Sequence, residues 1–190
     1  MKRSWRLVIV RVLLLAIGVA AYLLRFQIQA RVWHWRYGNS MTVGRYEVPV
    51  PEHWLVERYE STTLATLVDT RFRKSPHAFS RAGSILVSSG LSGPIDDKFW
   101  SSETRQRLEH DGVPDVQEKT VGSDYDTMAC LGGRQLAAIA HVPTLAVVSL
   151  TCLSSDGLNL VYTGTASGVP EFYAIASGIR PVAKRSNLSK

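Results

Sequence analysis

Leu7-Val8-Ile9-Val10-Arg11-Val12-Leu13-Leu14-Leu15-Ala16-Ile17-Gly18-Val19-Ala20-Ala21-Tyr22-Leu23-Leu24 is the stretch on which the architecture turns. It is apolar on every side, so it has no polar stripe to turn away from a core, which speaks against a buried amphipathic helix of a soluble protein. Eighteen residues of helix rise about 27 Å, close to the roughly 30 Å hydrocarbon core of a bilayer. Its one charge, Arg11, lies a turn inside the N-terminal end, where a long basic side chain reaches the headgroups. The segment reads as a membrane anchor. A cleaved signal peptide is the competing reading, with small residues at Val19-Ala20-Ala21. The apolar run continues past that point through Tyr22, Leu23 and Leu24, which favours the uncleaved anchor.

On either side of this run the charge is one-sided. Lys2, Arg3, Arg6, Arg11, Arg25, Arg31 and Arg36 precede the first acidic residue, Glu47. Phe26, Trp33, Trp35 and Tyr37 alternate with the last three arginines, an expected interfacial belt. The chain's formal charge of +6 therefore belongs to its ends: residues 41–179 carry eleven basic against sixteen acidic residues. A nucleic-acid footprint should lie on the folded domain, so nucleic-acid partners are not expected. Basic residues beside an apolar helix suit anionic headgroups instead. Lysine and arginine counts lean slightly to the N-terminal side, the cytoplasmic side by the positive-inside rule.

The remaining length suits one domain. We expect an anchor helix and interfacial segment at 1–40, an α+β globular domain at 41–181, and a disordered tail at 182–190. Strands are expected at Met41–Val50, Trp54–Tyr59, Leu64–Phe72, Ser84–Ser89, Val116–Val121, Thr127–Leu131, Gln135–His141, Leu145–Leu153 and Leu158–Thr165. Asp156-Gly157 marks a hairpin between the last two. One helix is expected from Pro94, with Asp96 and Asp97 in its first turn and Gly112 as a left-handed cap. Its sparse large apolar residues, Ile95, Phe99, Trp100 and Leu108, make it a largely wet cover for a sheet. A second runs from Pro170 to about Ser177, with Phe172, Ile175, Ala176 and Ile179 at core-facing spacing. The fold class is thus α+β: a transmembrane helix, then an antiparallel sheet with two covering helices.

Cys130 and Cys152 are the only cysteines. They flank a turn expected at Val142-Pro143, and strands folding back there would bring them together. Gly132-Gly133 offers room for a bulge to adjust the register. A disulfide would stabilise by about 3 kcal/mol and imply an oxidising compartment. Two separate buried thiols are the alternative.

No chemistry-bearing motif stands out. His34, His53, His77, His110 and His141 do not share metal-ligand spacing. His34 falls in the interfacial belt, His110 at a helix end that favours a cation, and His141 at a turn. Asp124-Tyr125-Asp126 lacks the further ligands and glycine of a calcium loop. Ser88-Ser89-Gly90 and Ser101-Ser102 are not nucleophile elbows. No phosphate loop or dinucleotide fingerprint is present. No cofactor, metal or catalytic residue is assigned, and enzyme activity is not expected. Trp54 reads as a core residue.

The segment Tyr46-Glu47-Val48-Pro49-Val50-Pro51-Glu52-His53-Trp54 and the closing Pro170-Glu171-Phe172-Tyr173-Ala174-Ile175-Ala176-Ser177-Gly178-Ile179 resemble the opening strand and last helix of PsbP/Mog1-like domains. The order of strands, helix, strands and closing helix is similar too. His53 stands where that family usually has glycine. The resemblance implies a non-catalytic accessory or binding domain and carries over no residue-level function. The expected protein is a membrane-anchored accessory or binding protein. Its domain would lie outside the cytoplasmic membrane of a bacterium, meeting lipid through the helix and another envelope protein or an apolar ligand through the domain. An envelope hydrolase using His77, His110 or His141, or a small subunit of a membrane complex, are the alternatives.

Overall fold

A computed structural model describes residues 2–71, 83–90, 97–122, 127–135 and 147–182. It begins with a single unbroken helix, α1, Lys2–Tyr37. This is the one helix among the described residues long and apolar enough to cross a membrane, and its apolar window is uncovered. The helix does not stop at the end of the apolar run. Gly38, at φ +84°, ends it thirteen residues beyond Leu24.

The chain then builds ten strands among the described residues, all paired antiparallel. A small sheet holds β1 (Ser40–Val43), β2 (Tyr46–Pro49) and β10 (Arg180–Pro181), in the order β1-β2-β10. The large sheet holds β3 (Trp54–Ser61), β4 (Leu64–Asp69), β5 (Ser84–Ser89), β6 (Gln117–Gly122), β7 (Thr127–Gln135), β8 (Val147–Ser154) and β9 (Leu158–Thr165). Their order is β3-β4-β5-β9-β8-β7-β6. Two further α-helices are found among the described residues: α2 (Asp97–His110) and α3 (Val169–Ser177). The class is α+β.

One face of the large sheet is far better covered than the other. Ile85, Val87, Leu150, Cys152, Leu160 and Tyr162 point to the same side and join Trp54, Phe172, Ile175 and Ile179 in the main core. The α3 stripe read from the sequence therefore faces that core. The opposite side holds a small cluster in which Leu108 of α2 meets Val113 and Leu131. Phe99, expected to face the sheet, is 67% exposed. Trp100 and Leu108, also expected there, do pack on that cluster, and Thr104 is buried with them, because a four-residue step sets the inward line of a helix. Gly112, at φ +87°, follows α2 as expected.

Three strand readings change. Met41–Val50 is a hairpin, since Gly44 adopts φ +59° and turns the chain between β1 and β2. Thr127–Leu131 and the start of Gln135–His141 are one strand, β7; residues 136–141 lie outside the described residues. Gly132-Gly133 produces no bulge, and β7 pairs with β8 in unbroken register from Met128↔Ser154 to Gln135↔Val147. The glycines serve close approach: a Cβ at Gly132 would meet the Ser149 carbonyl oxygen and Leu150. That register sets Cys130 opposite Cys152, with their Cα atoms 4.0 Å apart and their sulfurs joined at 2.00 Å. The Asp156-Gly157 hairpin joins β8 to β9, with Gly157 at φ +82°. The turn at Val142-Pro143, the helix start at Pro94 and Ile95, and the tail beyond Val182 lie outside the described residues.

Candidate functional site

The second half of α1 returns to the domain. Phe26 and Ala30 are buried, Ala30 to 1% exposure, and Trp33 packs on the main core. The expected aromatic belt is therefore divided. Trp33 packs on the domain core and Phe26 is buried, while Trp35, 89% exposed, and Tyr37 face outward. A helical step of three or four residues puts 26, 30, 33 and 34 on one side and leaves 35 on another.

His34 is part of the same docked side. Its Nδ1 lies 3.0 Å from the Gly38 carbonyl oxygen and 3.1 Å from Asn39 Oδ1. Its Nε2 lies 2.9 Å from the Pro51 carbonyl oxygen and 3.0 Å from that of Trp54. One imidazole thus fastens the end of the helix to the turn that opens β3. This replaces the interfacial role read from the sequence.

Directly beyond that turn lies a charged network. Glu171, in the first turn of α3, takes three donors on one oxygen, Oε2: His53 Nε2 at 2.9 Å, Trp54 Nε1 at 3.0 Å and Arg71 Nη2 at 2.7 Å. Arg71 also grips Asp69 through Nε and Nη2, the latter 2.6 Å from Oδ2. Asp69 is buried, and its charge is matched there by a guanidinium fork. Burial pushes the Glu171 carboxyl up. The hydrogen bonds from His53 and Trp54, and the charges of His53 and Arg71, outweigh it and hold the carboxyl below its ordinary value. The hydrogen bond to Asp69 holds Arg71 more firmly protonated against the opposing effect of burial. Burial, with Asp69 close by, pushes the Tyr162 phenol up to about 12. Tyr162 stays a donor, and gives its proton to the Thr165 carbonyl oxygen at 2.7 Å.

His53, Asp69 and Glu171 have ligand atoms within 4.8 Å of one another, the spacing of a metal site. Arg71 already stands among these groups, supplying positive charge and donors to both carboxylates. A metal ion would have to displace it. The network therefore reads as a clamp tying α3 to β3 and β4.

Between α1 and this clamp is a cavity of about 500 Å³. Arg31 and His34 of the helix line one part of it; Glu52, His53, Thr70 and Arg71 of the domain line the other. A second cavity, of about 570 Å³, lies between α2 and the sheet and includes His110, Glu103 and Asn159. His110 has no hydrogen bond to a serine or carboxylate among the described residues. His53 meets a carboxylate but no hydroxyl among them. The arrangement can hold a polar group; among the described residues it assembles no nucleophile–base pair. His77, His141 and Asp124-Tyr125-Asp126 lie outside the described residues.

No local spacing could have paired His53 with Glu171, which are 118 positions apart. Two faint signals exist. One is an unexpected histidine in the Pro51–Trp54 turn, and the other an acid in the first turn of the closing helix.

Neither a family model nor a curated protein matches the chain. Among solved structures it is similar to a point mutant of the protein Mog1, at 16% identity and TM-score 0.46, over 76% of this chain and 96% of that one. It is also similar to the Saccharomyces cerevisiae Ran-binding protein Mog1p, at 14% identity and TM-score 0.45, over 73% and 91% of the two chains. A third is cyanobacterial PsbP from Synechocystis, at 12% identity and TM-score 0.38, over 72% and 86%. The resemblance to PsbP/Mog1-like domains is a weak one, and it is one of fold.

Proposed function

We propose that this chain is a single-pass, membrane-anchored binding or accessory protein whose domain is held against the lipid surface by its own anchor helix. The observation that carries this reading is the two-part character of α1. From Val8 to Leu24 the helix is apolar but for Arg11, and it is uncovered. Beyond Leu24, one side of the helix is buried at Ala30, packed at Trp33 and hydrogen-bonded to the domain through His34. A helix continuous across that boundary gives the domain a fixed height above the bilayer, where a flexible linker would give it only a tether.

The domain plan of an anchor at 1–40, a globular part at 41–181 and a tail at 182–190 belongs to this proposal, with the last turns of the anchor acting as part of the domain's interface. The Cys130–Cys152 bridge supports a domain on the oxidising side of the membrane. The clamp around Glu171 supports a structural use of the charged residues, since each carboxylate already has a cation.

Fractionation of cells producing the full-length protein tests the reading. The protein is expected in membranes, resistant to alkaline carbonate, with its N-terminus intact. Release by carbonate, or a mature N-terminus beyond Ala21, would overturn it.

A further inference from the structure

We infer that the cavity between α1 and the domain is a headgroup site for a zwitterionic, amine-bearing phospholipid such as phosphatidylethanolamine. This inference rests on the membrane reading above and adds a ligand to it. Its first support is depth. The guanidinium of Arg25 lies over the rings of Tyr22 and Phe26, 4.1 and 4.7 Å from their centroids. Arg25 is the first charge after the apolar run, and its contact with the exposed Tyr22 ring marks the boundary of the hydrocarbon. From Leu24, Gln27 is about 4.5 Å and Arg31 about 10 Å further along the axis, and the headgroup layer is roughly 5–7 Å thick. Both residues line the cavity, which therefore starts within that layer and reaches just above it.

The second support is charge. Arg31 comes from the helix and Glu52 from the domain, and both line the cavity. Neither has an ion pair or hydrogen bond to the rest of the protein among the described residues. Arg71, the other lining cation, is committed to Asp69 and Glu171. One cation and one anion, each without a partner among the described residues and both lining the same cavity, match a headgroup with a phosphate and an ammonium. The phosphate goes to Arg31, whose planar fork suits it, and the ammonium gives its protons to Glu52. A purely anionic headgroup would leave Glu52 facing like charge, and a quaternary amine has no proton to donate to it.

The test uses the full-length protein in mild detergent with equal amounts of phosphatidylethanolamine and phosphatidylglycerol, the bound lipid being read by native mass spectrometry. The wild type is expected to keep one phosphatidylethanolamine about tenfold in excess of phosphatidylglycerol. Arg31→Gln should lose both lipids. Glu52→Gln should keep lipid and lose the preference. Arg36→Gln, a charge change on the same helix outside the cavity, should behave as wild type. Equal retention of the two lipids by the wild type would overturn the inference, as would an Arg36→Gln loss matching that of Arg31→Gln. Displacement of the lipid by millimolar inorganic phosphate would overturn the lipid source and leave a plain phosphate site. None of these outcomes moves the protein out of the membrane fraction, so failure here is separable from failure of the anchor.

Discussion

Replacing Glu171 with glutamine removes the charge at the hub of the clamp and changes the side chain's size very little. The wild-type carboxylate receives His53, Trp54 and Arg71 at 2.7–3.0 Å. Hydrogen bonds to charged groups contribute about 1.5–3 kcal/mol each when formed singly, but three on one oxygen do not add, and glutamine keeps an acceptor. With the site partly open to solvent, we expect Glu171→Gln to lose about 2 kcal/mol, or roughly 6 °C in Tm for a domain of this size. Urea and thermal unfolding of the full-length protein in mild detergent, followed by tryptophan fluorescence, would measure it. The pH dependence makes the test sharper. Glu171 is held below its ordinary value of 4.5, so its contribution is fully present above 4.5 and is lost as pH falls through the lower, folded-state value. The wild type and the variant should therefore differ at neutral pH and converge in acid. A variant as stable as the wild type at neutral pH would refute the clamp, and so would a gap that persists unchanged in acid.

Two further outcomes probe the docked helix and the sheet. Ala30→Leu adds bulk where the helix meets the domain, and should cost about 1–3 kcal/mol or undock the helix end. Tryptic cleavage at Arg31 and Arg36 should then accelerate, while Val32→Leu on the exposed side leaves it unchanged. Reducing Cys130–Cys152, which closes a loop with sequence separation 22, should lower stability by about 3 kcal/mol, measured as the difference between oxidised and reduced unfolding curves.

The long apolar helix is legible in the sequence because an eighteen-residue run that is apolar on all sides suits a lipid solvent and leaves a helix in water no face to turn outward. The α3 stripe and the Asp156-Gly157 hairpin are legible because each is a local signal with a definite geometry. The end of the helix misleads for a physical reason. Tryptophan and arginine serve an interfacial belt and a domain contact equally well, and only the angular positions of Phe26, Ala30, Trp33 and His34 separate the two uses. Ala30 carries no apolar signal large enough to reveal its burial. Met41–Val50 looks like one strand because Gly44-Arg45 interrupts a continuous β-type composition without a proline or an Asn-Gly pair. The clamp is hidden by distance along the chain. Asp69 and Arg71 are near neighbours, but His53 and Glu171 meet them only after β3, β4 and α3 have packed.

The central claim is that one helix passes without a break from lipid into contact with the domain. Nitroxide labels placed singly at Ile17 and at Trp35 of the full-length protein in bilayers test it most directly, through their relative exposure to oxygen and to a water-soluble nickel chelate. The account predicts that position 17 is reached by oxygen and shielded from nickel, and that position 35 shows the reverse. Nickel access at both positions would contradict it.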